Sequence, residues 1–354
     1  MTRVQPRAYR AVCLPVLLAL AQCAATSPQN RTAVIEAMAA AEVPGVAVAT
    51  VEDGALELIS LGSASPDANI PVTADTVFEA ASLSKTVFAS MYLDTVASQR
   101  LSLDEPLAKT HAASRVTDAT LYKALTPRLI LSHQSGLPNW AGDAHIPDRT
   151  DPLEFKREPG TAYGYSGEGY ELLRAHVEAQ LGTSLEGWFD GYRQGFGMPS
   201  SHFTYDEVPA ASAVAKGTSE ETTRGISPRP YGVAAASLTT TARDYGAFVR
   251  YLLANPALLE SLTEAQVMVE ETDQGELQWG LGWGLYEHPN GRRVAFHWGD
   301  NWQFKAFVAI DLDNEVGVVY FANGVGGLEL VSTIVEPVVG DLTMVREWLG
   351  YEED

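Results

Sequence analysis

The segment RVAFHWGDNWQFKAFVAIDLDNEVGVVYFANG, residues 293–324, holds three apolar runs divided by two short polar breaks. RVAFHWG (293–299), QFKAFVAIDLD (303–313) and EVGVVYFANG (315–324) are rich in Val, Phe, Tyr and Ile, residues that suit a pleated, buried surface. The latter two are joined through DLDNE, a turn-forming cluster, so the segment reads as three successive strands. Far upstream, GVAVATVEDGALELISLG (45–62) alternates β-branched and small residues about Asp53-Gly54, a strong hairpin signal. Before it, TAVIEAMAAAEV (32–43) carries apolar positions at helical steps.

Between these ends, from Ala80 to about Tyr286, the patterns are mostly helical, with loops such as SHQSGLPNW (132–140) and TSEETTRGISPRPYG (218–232). LELVSTIVEPVVGDL (328–342) reads as a closing helix. The economical fold joins the two ends in one antiparallel sheet flanked by helices, an α+β arrangement in the form of an α/β sandwich. The sheet lobe is expected over about 32–79 and 290–354, and a mostly helical lobe over about 80–289, with a cleft between them.

The first residues stand apart. Arg3, Arg7 and Arg10 precede AVCLPVLLALAQCAA (11–25), an apolar run broken by Pro15 and too short to span a bilayer. This reads as a secretory leader over 1–23, followed by a linker over 24–31 and a single catalytic domain over 32–354. LALAQC (18–23) resembles the bacterial lipoprotein cleavage box, which implies acylation of Cys23. Gln22 departs from the small residue usual there, and plain export with cleavage near the alanines is the alternative. Both cysteines, Cys13 and Cys23, lie in the leader, so the mature chain has no disulfide and no thiol nucleophile. Loss of residues 1–30 removes three arginines and no acid, and the formal charge of −21 becomes −24. Such a surface repels phosphate backbones, which argues against nucleic acid as a partner and leaves a lipid anchor as the route to a membrane.

FEAASLSKTVFA (78–89) places Ser82 three positions before Lys85, in a chain with only six lysines. On a helix this spacing puts both on one side. A serine hydroxyl is a poor nucleophile until a base takes its proton, and a desolvated lysine can act as that base because burial lowers its pKa. On spacing alone, most such pairs are solvated helix faces.

Further segments follow in order: ILSHQSGL (130–137), PGTAYGYSGEGYELL (159–173), AAASLTTTARDYGAFVRYLL (234–253), WGLGWGLY (279–286) and FHWGDNWQF (296–304). Together with Ser82-x-x-Lys85 they resemble the class C β-lactamase and penicillin-binding protein superfamily of serine hydrolases, from Ala33 to the C-terminus. The resemblance implies a β-lactamase/transpeptidase-like fold, no cofactor, and an acyl-enzyme formed on Ser82 from a small ester, amide or peptide substrate. It implies that Tyr165, in the Tyr-x-Asn element, acts as base and then acid, helped by Lys85. His297-Trp298-Gly299 stands where the family has Lys-Thr-Gly, so His297 is expected to orient substrate or assist proton transfer and Gly299 to admit substrate to the strand. The implied oxyanion donors are the N–H groups of Ser82 and Asp300.

Departures bear on the substrate. Gly167 replaces the family's asparagine, which would steady Lys85. His297 replaces a permanent ammonium with a ring mostly neutral at pH 7, whereas a β-lactam carries a carboxylate that benefits from a fixed positive charge. Asp300 is expected to place a carboxylate near the oxyanion position, and Gln303 stands where relatives commonly have glycine. Esterase or peptidase-like activity therefore leads β-lactamase, and a binding or sensor module with little turnover is the reading from another class. His133 reads as a packed helix-end residue rather than a base. DLDNE lacks the glycine and glutamate of a calcium loop and reads as a hairpin turn, and GVGGLEL (324–330) as a strand-to-helix turn.

Overall fold

The computed structural model describes residues 28–142, 150–207, 214–219, 222–226, 228–229 and 231–350. Cys23, the leader and the first half of the linker lie outside them. The strands run β1 (Gly45–Glu52), β2 (Ala55–Ser65), β3 (Ile70–Pro71), β4 (Phe78–Glu79), β5 (Gly217–Thr218), β6 (Thr223–Arg224), β7 (Thr239–Thr240), β8 (Val267–Thr272), β9 (Gly275–Trp279), β10 (Gly284–Glu287), β11 (Arg293–Asp300), β12 (Lys305–Asp311) and β13 (Val316–Ala322). Nine of them form one antiparallel sheet in the order β3-β2-β1-β13-β12-β11-β10-β9-β8.

The two chain ends meet as β1 and β13, in a register from Val46 opposite Ala322 to Val51 opposite Gly317. Asp53 and Gly54 both take positive φ, 52° and 73°, which the two-residue turn of the β1–β2 hairpin requires. DLDNE closes β12 onto β13, with Asp311 Oδ1 accepting the N–H groups of Asp313 and Asn314.

Because side chains alternate across a strand, the sheet feeds two cores. Val46, Val48, Phe296, Phe307, Val318 and Tyr320 face an outer layer made from α1 (Pro28–Ala40) and the C-terminal helices. Ala47, Ala49, Ala295, Ala306, Val308, Val319 and Phe321 face the helical lobe. Small residues on that inner face let α7 (Ala242–Leu253) lie close: a Cβ on Gly246 would stand 2.6 Å from both Ala49 Cβ and Leu56 Cδ1. The other helices of this lobe are α2 (Ser84–Ala97), α3 (Ala119–Tyr122), α4 (Pro127–Leu131), α5 (Gly167–Leu181), α6 (Leu185–Arg193) and α8 (Pro256–Thr263). Most of α2 is buried, the mark of a helix at the centre of a lobe rather than on its surface.

Two expectations need correction. Residues 267–287 were expected in the helical lobe, but they form β8, β9 and β10 and carry the sheet past β11. These strands are short and β8 is acidic and largely exposed, so neither periodicity nor hydrophobicity betrays them; pairing with β11 holds them in place. The closing helix is also broken, into α9 (Val331–Ile334), α10 (Glu336–Val339) and α11 (Thr343–Leu349). Pro337 lacks an N–H, and Gly340 at φ 82° turns the chain.

Phe321 joins the lobes, its ring 6.1 Å from Phe78 and 5.7 Å from Tyr245. Phe321→Ala is expected to destabilise the chain by about 3–5 kcal/mol, measurable by denaturant unfolding.

Candidate active site

Ser82 lies in a single 3₁₀ turn, Ala81–Leu83, that runs straight into α2. The turn is tied to the loop before β7: Ala80 N–H donates to Leu238 O at 2.8 Å, and Leu238 N–H to Ser84 Oγ at 2.9 Å. Ala81 takes φ 48°, a left-handed conformation that costs a non-glycine residue about 1–2 kcal/mol. This strained position immediately precedes Ser82, at the N-terminal end of α2 where the helix dipole favours negative charge.

Lys85 is fully buried. Its Nζ stands 3.1 Å from Ser82 Oγ and donates to Ala235 O at 2.7 Å. Burial lowers the amine from its ordinary 10.5 to about 7, with Glu171 pulling the other way. The amine lies over the ring of Tyr165, 4.7 Å from its centroid.

Tyr165 comes from the loop that enters α5, where Ser166 is the N-cap and accepts Gly169 N–H at 2.9 Å. Burial raises the Tyr165 phenol well above its usual range, and contact with Ser82 draws it partly back. That contact falls short of full hydrogen-bond geometry. His133, at φ 54° just beyond α4, accepts Ser166 N–H on Nδ1 at 3.1 Å and lies 4.2 Å from the Tyr165 ring, centroid to centroid. Desolvation holds His133 far below its ordinary pKa, with Lys85 and His297 adding to the effect, so it packs behind Tyr165 as a neutral ring.

On β11, alternation puts His297 and Gly299 with Ala295 on the inner face. A Cβ on Gly299 would meet Ala80 O at 2.5 Å, so only glycine lets the strand pass this close to the Ser82 turn. His297 is buried, and burial, reinforced by Lys85, lowers it to about 3. Its Nδ1 pairs with Trp298 O at 2.8 Å, which assigns the proton to Nδ1 and leaves Nε2 as an acceptor without a partner among the described residues.

Asp300 is a correction: the expected carboxylate near the oxyanion position falls on the opposite face. The same alternation turns its side chain outward, where Oδ1 meets Lys305 Nζ at 2.6 Å and Trp302 N–H at 2.9 Å. Gln303 is structural, its amide donating to Ser219 Oγ, Thr222 O and Thr222 Oγ1.

Two residues unmarked by sequence reasoning complete the site. Ala235 supplies the carbonyl that holds Lys85, the task a side chain at position 167 would share; a backbone group leaves no residue-type signature. Trp140 occupies the space beside Gly167, where an added Cβ would meet its ring at 2.6–2.9 Å. The loop that carries Trp140 is pinned by Glu168, which accepts Ala141 N–H at 3.1 Å and binds Arg115 with both oxygens. Trp279 on β9 adds a wall 6.1 Å from Tyr165 and 5.6 Å from His297.

A hydroxyl, an amine that gives up its proton near neutrality and a phenol thus meet between a helix start and a sheet strand, the constellation of Ser-x-x-Lys acyl-transfer proteins. The pattern of the Beta-lactamase family matches residues 30–333, and the chain belongs to that family. It is 25% identical to a beta-lactamase of Yersinia enterocolitica over 70% of this chain and 66% of that one. It is 24% identical to a beta-lactamase of Escherichia coli K12 over 73% and 71%. A penicillin-binding protein 4 of Amycolatopsis lactamdurans is 31% identical over 43% of this chain, a match that spans 41% of the relative's length. The octameric penicillin-binding protein homologue from Pyrococcus abyssi has the same fold, with a TM-score of 0.74 at 22% identity over 91% of this chain and 77% of that one.

Gly299→Ala is expected to push β11 off the Ser82 turn. Labelling of Ser82 by a fluorophosphonate should slow by at least about tenfold, while circular dichroism stays that of the parent.

Proposed function

We propose that this chain hydrolyses an ester or amide through an acyl-enzyme on Ser82. The observation that carries the reading is the buried Lys85 amine, lowered to about 7 and 3.1 Å from Ser82 Oγ. Neutral Lys85 takes the Ser82 proton as Oγ attacks the carbonyl, and the N–H groups of Ser82 and Asp300 receive the oxyanion, each worth about 3 kcal/mol to the transition state. Tyr165, kept a phenol by burial, protonates the leaving group and recovers its proton from Lys85. Water then attacks the ester, giving its proton to the same base, and Ser82 leaves as the free hydroxyl. His297, neutral across the working range, accepts a hydrogen bond from substrate on Nε2.

The names of the relatives favour β-lactams as the rival substrate. Against them stands the neutral ring of His297 at the position that resembles Lys-Thr-Gly, and for short acyl esters the absence of a carboxylate to be matched removes that cost. The leader reading supports export, and Cys23 supports attachment to a membrane.

Fluorophosphonate should label the wild type and spare Ser82→Ala; no label on either removes the reading. Because the base must be neutral, the labelling rate should rise with pH through about 7 as the Lys85 ammonium loses its proton. Lys85→Met should abolish labelling and leave the melting temperature equal or higher, since it removes a buried amine. In a panel of short acyl esters, D-amino-acid amides and a chromogenic cephalosporin, the esters should turn over fastest; a faster cephalosporin reverses the order. Cys23→Ser should release the protein from membranes, as read by fractionation.

A further inference from the structure

The Lys85 amine is held from behind as well as from the serine side. Its carbonyl partner belongs to Ala235, and the N–H of that same residue donates to Glu171 Oε1 at 3.3 Å. Glu171 stands on α5 and is itself gripped: Arg174 Nε binds its other oxygen at 2.9 Å, and Arg174 Nη1 binds Glu178 Oε2 at 2.6 Å. Glu178 Oε1 in turn accepts Leu185 N–H at 2.8 Å, at the start of α6. Two helices therefore fix where the Glu171 carboxylate sits.

The groups that face Lys85 are few in kind. Tyr165 and Tyr170 present rings 4.7 and 5.5 Å from Nζ, and burial keeps both as phenols. His133, in the turn after α4, and His297, on β11, feel the charge of Lys85, and burial keeps both neutral. Glu171 is the carboxylate whose charge acts on the amine. It also lines a cavity of about 440 Å³ with His111, Arg115, Arg174 and Tyr231.

We propose that Glu171 is the positioning residue of the Ser82–Lys85 pair: it anchors Ala235 so that the carbonyl holds the amine on the serine, and its charge helps the amine keep the proton it takes. The second part matters because a base stripped of all compensating charge would be too weak to hold the serine proton at the transition state. The assignment rests on the hydrolase reading above. It also accounts for the missing asparagine, since the anchor comes from α5 through a backbone carbonyl and position 167 is left to Trp140.

The test is the pH profile of fluorophosphonate labelling at Ser82 for the wild type, Ser82→Ala, Glu171→Gln and Glu171→Asp. Glu171→Gln keeps an acceptor for Ala235 N–H and loses the charge, so its midpoint should fall by about one pH unit while the alkaline plateau survives. Glu171→Asp keeps the charge and should hold the midpoint near that of the parent. A midpoint that stays put or rises in Glu171→Gln overturns the assignment. Loss of labelling by both Glu171 variants at every pH makes the residue a structural one and overturns it equally. A wild type that takes no label at Ser82 sinks the hydrolase reading itself, an outcome distinct from the other two.

Discussion

The site is organised around one desolvated amine. Removing an ammonium from water costs several kcal/mol unless a charge partner compensates, and a lysine so placed gives up its proton instead. Lys85 meets a hydroxyl, a carbonyl and two aromatic faces at close range, with its carboxylate one residue removed behind Ala235. A direct ion pair would have restored the proton and disarmed the base. The packing of α2 at the centre of its lobe leaves Lys85 fully buried, and Gly299 lets β11 pass close to the Ser82 turn.

Around the amine, functions expected of side chains are carried by other groups. A backbone carbonyl holds Lys85, an indole fills the space beside Gly167, and a neutral imidazole stands where a permanent cation would be expected. Each exchange removes polarity or charge from the substrate side of the pocket. Charge is present close by, but it is turned away: Asp300 pairs with Lys305 on the outer face of the sheet, and Glu168 pairs with Arg115 behind the loop of Trp140.

The sheet makes this possible by the same alternation that builds the two cores. Placing Phe296 and Phe307 outward and Ala295, Gly299 and Ala306 inward gives the outer layer its bulk and clears the inner face for the Ser82 turn. Stability and site geometry are therefore two readings of one periodicity, and a one-residue slip of β11 would turn Asp300 toward the Ser82 turn and drive Phe296 into the inner core.

The sequence by itself determined the antiparallel sheet from both chain ends, through the alternation in 45–62 and 293–324, and the Ser82–Lys85 pair, through a spacing tied to the helical repeat. Both are local periodicities, and a period is written in consecutive residues. Tyr165, His297 and Gly299 were reached by resemblance. Tertiary structure alone decided that 267–287 joins the sheet, that Ala235 and Glu171 stand behind Lys85, and that Trp140 fills the space beside Gly167. Those facts depend on which backbone groups and rings converge from distant segments, and no local pattern records a convergence in space.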